Sequence, residues 1–329
     1  MPAATLVALT DSLRGFGGAL QAFFGSLAAV AWLPLVAGVL LHGVFLTFQS
    51  RAWFNVLRAA YPAERFRWRN LWAAYFVGMG VNSVIPARPG ALAKLFLARQ
   101  SVPNSSYPAI ASSVFVEALF MAITGVLVIV FALTQGVFPD LPALPSLALD
   151  VAFLARHPDF ALFLVTAVAV LMLGVVAVLS VRVKAFWART RQGLTILGQR
   201  RRYLRYVFLL QTLGWFARFG AFWFLLEAFH IEASVRNVLL VVAVQSLAGL
   251  VPFTPSGAGA QQALLAVVFA GLASGSAVAA YAVGQQLSIA AFNVGVGLLA
   301  LAIVFRTTDW RSLVRRGREE SGTAGVRTG

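Results

Sequence analysis

Apolar residues run along this chain in long blocks rather than in the three-to-four-residue rhythm of a soluble amphipathic helix. Uninterrupted blocks fall at 27–48, 107–134, 160–181, 206–229 and 277–305. Each holds about 20 residues or more, enough to cross a hydrocarbon core of ~30 Å. Two further blocks, 71–100 and 237–272, are broken at their centres. The first break runs from Asn82 to Gly90 and contains Pro86, Arg88 and Pro89. The second runs from Val251 to Gly259 and contains Pro252, Pro255, Ser256 and Gly257. Lipid cannot hydrogen-bond the N–H and C=O groups that such breaks release, so they belong inside protein or along a wet cavity. A matched pair of Gly/Pro breaks in two halves of a chain points to a transporter's binding site. Residues 1–26 read as an amphipathic N-terminal segment, with a helix over 5–24 that carries Asp11 and Arg14.

Charge orients these blocks. Residues 182–205 carry eight basic side chains and no acid, 51–69 carry five arginines against Glu64, and the tail at 306–329 carries six arginines against three acids. All three read as cytoplasmic. The connection 135–159 has Asp140, Asp150 and Asp159 against Arg156, with four prolines, and reads as an outside loop. These sides agree if both broken blocks are re-entrant hairpins of two half-helices. The unit of span, broken hairpin and span then occurs twice with opposite orientation, over 27–134 and 206–305, joined by a span at 160–181. The expected fold is all-α: a polytopic membrane helix bundle over 27–305 with inverted repeats. Two full spans in place of each hairpin would satisfy the same charges.

Composition fits this class. Sixty per cent of the 329 residues are hydrophobic and 11% charged, with a mean hydropathy of +0.83. The net charge of +15 comes almost wholly from arginine, lysine supplying two of 26 basic residues. In a membrane chain this marks the face that meets anionic lipid, not nucleic acid. There is no cysteine and there are three scattered histidines, so thiolate chemistry and a histidine metal centre are not expected.

Ionisable residues within apolar blocks need a reason, because a charge at the bilayer centre costs ~2.5–3.5 kcal/mol on insertion scales. Arg88 lies at the first break and Lys94 one turn beyond it. Glu117 and Arg218 sit ten and twelve residues into their spans, near mid-depth at 1.5 Å per residue. Glu117 could pair with Arg88, Lys94 or Arg218 and simply hold helices together. With three cations to one acid, positive charge is also left over for an anion. The half-helices expected to start at Ala91 and Ala258 add the positive ends of their dipoles, with Ser256 placed to cap the second. Gln245, Gln261, Gln262, Gln285, Gln286 and Asn293 surround the second break, either lining a polar path or bonding between helices.

These residues resemble the membrane region of lysylphosphatidylglycerol synthases and their stand-alone flippase-like relatives. That family carries N-x-x-x-P-x-R-x-G-E followed by a basic residue, then V-x-E-R, then P-x-S-P-G-G-x-G-x-x-E. The chain matches at Asn82, Pro86, Arg88, Gly90 and Lys94, loosely at Val116 and Glu117, and at Pro252, Pro255, Gly257 and Gly259. The likeness spans roughly 45–305. Ala91, Ala118 and Gln262 stand where the motifs carry Glu, Arg and Glu, and residues 1–26 are not expected to supply the family's usual first span. Lost acids make the centre more positive and argue against a carried-over proton- or cation-coupled mechanism. The resemblance implies a multi-pass plasma-membrane protein; the sequence shows no nucleotide-binding loop and no Asp/His/Cys constellation for hydrolysis, so neither an enzyme nor a cofactor is expected. By that resemblance the protein would move an anionic lipid or lipid-linked intermediate between leaflets. Its ligand would meet Asn82, Arg88, Gly90, Lys94, Glu117, Arg218, Ser256, Gly257, Gly259 and Gln262. Transport of a small anionic solute, or an accessory role beside a membrane glycosyltransferase or lipid synthase, are the alternatives.

Overall fold

The computed structural model describes residue 21 and residues 25–85, 89–135, 190–248 and 259–305. The expected helix at 5–24, the span at 160–181, the tail at 306–329 and nearly all of the loop 135–159 lie outside the described residues. Among the described residues the chain is helical, with no strand. Four helices are long and apolar enough to cross a membrane: α1 Trp32–Ala60, α4 Tyr107–Thr134, α5 Arg200–Ala228 and α8 Gly275–Val304. They correspond to four of the five blocks read from the sequence. A π-helical turn at Leu204–Phe208 interrupts α5 near its start, where the Asn55 side chain donates to the Tyr206 carbonyl at 2.7 Å.

Each broken block forms two shorter helices. The first gives α2 Trp68–Val84 and α3 Gly90–Ser101; the second gives α6 Val235–Ala248 and α7 Ala260–Val268. Their 17, 12, 14 and 9 residues correspond to about 26, 18, 21 and 14 Å, each short of the ~30 Å hydrocarbon core. The helices after the breaks begin at Gly90 and Ala260, one residue earlier and two later than expected.

Packing pairs the two halves of the chain. Helix α1 lies along α5. Helix α2 packs on α8, and its counterpart α6 packs on α4. The pairs α2–α3 and α6–α7, α1–α2 and α5–α6, α3–α4 and α7–α8, and α1–α4 and α5–α8 are likewise both present. Exchanging the first four helices for the last four thus maps these pairs of neighbours onto one another. One buried cluster centres on Trp53, Leu57, Leu71 and Phe76 in the first half, another on Leu225, Val241, Phe269 and Tyr281 in the second. Large apolar side chains also face outward, such as Leu33, Phe216 and Ile303. In water this would be a liability; against lipid it is the expected surface.

The first hairpin closes on glycine. The Asn82 side chain accepts the Gly90 N–H at 2.7 Å, supplying a partner to one of the amides that a helix start leaves open. A Cβ on Gly90 would collide with the Gly78 carbonyl oxygen, and one on Gly78 would stand 2.7 Å from the Gly90 oxygen. Gly90→Ala should therefore lower stability by about 1–3 kcal/mol. Gly275→Ala, where a Cβ meets nothing within 4 Å, should be neutral or mildly stabilising. Thermal unfolding in detergent checks both. Equal melting temperatures for the two variants would show that the hairpin tolerates a wider separation.

Candidate functional site

A cavity of about 370 Å³ lies where seven helices converge. Helix α1 contributes His42, Phe45 and Leu46; α2 contributes Tyr75, Met79, Asn82 and Ser83; α4 contributes Glu117 and Met121. From the second half come Arg218 and Phe222 of α5, Gln245 of α6, Gln261 of α7, and Gln285, Gln286, Ile289, Ala290 and Asn293 of α8. Each helix that contributes several residues presents positions three or four apart, the spacing that brings side chains to one face.

The acid of the cavity is spoken for. Lys94, on α3, donates to Glu117 Oε2 at 2.8 Å, and the Tyr75 hydroxyl donates to Oε1. Glu117 is buried. The Lys94 ammonium lies 4.3 Å from the Tyr75 ring centre and 4.7 Å from that of Trp53, so aromatic faces cover the charge. Trp53 is fully buried and donates from Nε1 to Ser113 Oγ at 2.9 Å. The ion pair ties α3 to α4 and, through Tyr75, both to α2.

Arg218 is held differently. It donates to Gln245 Oε1 at 3.0 Å and lies among the rings of Phe45, Trp215 and Phe222, at 5.5, 5.4 and 5.8 Å. Among the described residues no carboxylate pairs with it. Because Lys94 and Glu117 cancel, Arg218 is left as the net formal charge among the described residues of the cavity.

Polar side chains complete the wall. His42 Nε2 lies 3.2 Å from Asn293 Oδ1, and the Asn293 amide donates to Ser83 Oγ at 3.3 Å. Since that amide nitrogen is used as a donor, the network assigns the proton to His42 Nε2. This chain of contacts links α1, α8 and α2. Gln285 is fully buried and neither of its amide atoms has a partner. Gln262 does not line the cavity: its oxygen accepts the Gly259 N–H and its nitrogen donates to Gln286, which does.

The structure thus gathers Asn82, Glu117 and Arg218 around one space and brings Lys94 to it through Glu117. Gly90 is consumed in hairpin closure. Gly259, at φ 85°, occupies the N-cap position of α7 expected for Ser256, and Gln262 reaches back to it, one half of a capping box. Arg88, Ser256 and Gly257 lie outside the described residues. His42, Tyr75, Ser83, Met79 and Met121 were not expected at the site. Tyr75 and Met121 fall among apolar neighbours, and only three-dimensional convergence singles them out.

Beside the polar cavity runs an apolar groove of about 800 Å³ between α4 and α5. Phe120, Ile123, Thr124 and Leu127 line it from α4, and Phe208, Thr212, Trp215, Phe216 and Phe219 from α5. Helix α4 turns Glu117 and Met121 to the cavity and the intervening positions to the groove. Trp215 touches both, lining the groove and stacking near Arg218.

A family model described as the lysylphosphatidylglycerol synthase TM region matches residues 3–297. The match begins well before residue 45, where the motif-based likeness starts. No characterised protein and no solved structure gives a significant match.

Breaking a buried pair by removing one partner costs about 3–5 kcal/mol, because the other charge is stranded. Lys94→Met should therefore destabilise strongly, and Lys94→Met with Glu117→Gln should recover most of the loss. Thermal unfolding of the single and double variants tests this. A Lys94→Met protein as stable as the parent would mean that Glu117 is not held by the pair.

Proposed function

This chain belongs to the lysylphosphatidylglycerol synthase transmembrane-region family, and from that premise we propose that it moves an anionic lipid or lipid-linked intermediate between membrane leaflets. The observation that carries the reading is Arg218: a guanidinium facing a central cavity, with amide and aromatic neighbours and no described carboxylate paired to it. Such a cation inside a membrane domain is a functional-site feature by default. An anionic headgroup supplies the missing charge. The adjoining apolar groove favours a ligand with a hydrocarbon tail over a small solute, since a polar solute gains nothing from such a wall.

The architecture we infer for this task is an inverted-topology repeat in the plasma membrane, with α2–α3 and α6–α7 as re-entrant hairpins. Its support is twofold. All four short helices fall below spanning length, and exchanging the two halves maps most packed pairs of helices onto one another. Inverted repeats alternate access by rocking one half against the other around a site at their interface. The cavity draws its wall from both halves, which is where such a site belongs. Arg88, beside the first hairpin, belongs to the same proposal as a second headgroup contact. No catalytic role or cofactor enters this reading, and the expected partners are anionic lipids.

The test is transfer of a fluorescent phosphatidylglycerol in proteoliposomes, read by quenching of outer-leaflet label. Hydrogen bonds to a charged group contribute about 1.5–3 kcal/mol, so Arg218→Gln should slow transfer by about tenfold to a hundredfold. It should leave the melting temperature close to that of the parent, because no carboxylate is stranded. Arg218→Lys should retain part of the rate, a point charge replacing a planar fork. Transfer at the parent rate in Arg218→Gln would end the proposal.

A further inference from the structure

The amides around Arg218 say more about the headgroup than its charge. Resting on the reading of the cavity as a headgroup site, we infer that the preferred headgroup is a polyhydroxylated phosphodiester, a polyol or sugar phosphate, and that aminoacylated headgroups are disfavoured.

Three observations lead there. Gln285 lines the cavity, is fully buried, and has neither its amide N–H groups nor its carbonyl oxygen bonded. A buried polar side chain left this way is costly unless something supplies its partners. An amide offers donors and an acceptor side by side, which matches a hydroxyl, itself a donor and an acceptor. A bare phosphodiester could use only the N–H groups. Secondly, Gln285 does not stand alone: Gln261 lines the same cavity, and two neutral amides offer donors and acceptors beyond what one phosphate can occupy. Thirdly, among the described residues the cavity offers an ammonium no free carboxylate. Both oxygens of Glu117 are engaged, one by Lys94 and one by Tyr75. An amine brought in on an aminoacyl ester would face Arg218 with no free described carboxylate to offset it. The cavity volume of about 370 Å³ lies at the small end of the ~300–1,000 Å³ typical of ligand pockets, in keeping with a compact headgroup whose tails lie elsewhere.

A site built to bond hydroxyls rejects analogues that lack them, because its own polar groups are then left unpaired. That gives the experiment. The full-length protein in phosphatidylcholine nanodiscs is titrated with dioctanoyl phosphatidylglycerol, phosphatidylinositol, phosphatidylmethanol and lysylphosphatidylglycerol, and with soluble glycerophosphoglycerol. Binding is read by microscale thermophoresis. The two polyol lipids should bind about tenfold or more tighter than phosphatidylmethanol, which keeps the monoanionic phosphodiester and lacks the hydroxyls. They should exceed the lysyl lipid by at least as much. Gln285→Met, close in shape and without the amide, should shrink the polyol preference to within about twofold while leaving the ligand-free melting temperature equal or higher. Phosphatidylmethanol or the lysyl lipid binding as tightly as phosphatidylglycerol would overturn the inference, and that panel needs no variant to fold. A polyol preference that survives in Gln285→Met would overturn the assignment to this side chain. The transport reading fails separately: glycerophosphoglycerol binding as tightly as the lipid, or selective binding without transfer in proteoliposomes, leaves the headgroup chemistry standing and removes lipid translocation.

Discussion

A helix that stops among apolar neighbours exposes amides and carbonyls that those neighbours cannot satisfy, and much of this packing answers that demand. At the first break the Asn82 side chain takes the Gly90 N–H, and two glycines let the backbones of α2 and α3 approach closer than any side chain would allow. At the second, Gln262 turns back to the Gly259 amide. The short helices are then walled in: α2 by α3 and α8, α6 by α7 and α4. Enclosing two interrupted segments at the centre of a bundle leaves a space between them, and the cavity occupies it.

Within that space charge is distributed by proximity. Lys94, Glu117 and Tyr75 satisfy one another, and aromatic rings cover the ammonium. A neutralised pair of this kind adds little net stability, since desolvation of two ions offsets their attraction, but removing either member is expensive. It acts as a fastener between α3 and α4. Arg218 shares none of this. Its surroundings of an amide oxygen and three rings lower the cost of holding a guanidinium away from water without cancelling its charge. The fastened charge and the free one are thus separate, and under the proposed function a ligand at Arg218 would not unlock the bundle.

The sequence made the breaks and the membrane class plain, because Pro and Gly within apolar runs and arginine-rich connections are local signals. It placed Glu117 and Arg218 at mid-depth and Asn82 at the first break, and the structure sets the three around one cavity. It left open which cation meets Glu117: Arg88, Lys94 and Arg218 were equivalent on depth alone, and depth carries no azimuth. Among the described residues it is Lys94, because α3 begins at Gly90 and turns that side chain toward α4. Tyr75 and His42 were invisible for a related reason. An aromatic or a lone histidine in an apolar block looks like packing until neighbours 42 and 251 positions away arrive beside it. Capping of α7 went to Gly259 rather than Ser256, as a glycine at φ 85° is what the chain needs where it turns into that helix.

Two helices carry the link between the polar and apolar compartments. On α4, Glu117 and Met121 face the cavity while Phe120, Ile123 and Thr124 face the groove; on α5, Arg218 and Phe222 face the cavity while Trp215, Phe216 and Phe219 face the groove. Phe120 follows Glu117 by three residues and Trp215 precedes Arg218 by three, a spacing that sets them side by side on the helix, so the two environments adjoin along its length. Trp215 stands at the seam, its ring near the guanidinium and its edge on the groove, with a buried and unpartnered Nε1. The π-turn at Leu204–Phe208 lies at the other end of the same groove, where Leu204 and Phe208 line it. An extra residue in the turn rotates the helix beyond Phe208 relative to the short stretch before Leu204. On the longer stretch beyond that turn, packed along α1, Arg218 meets Gln245.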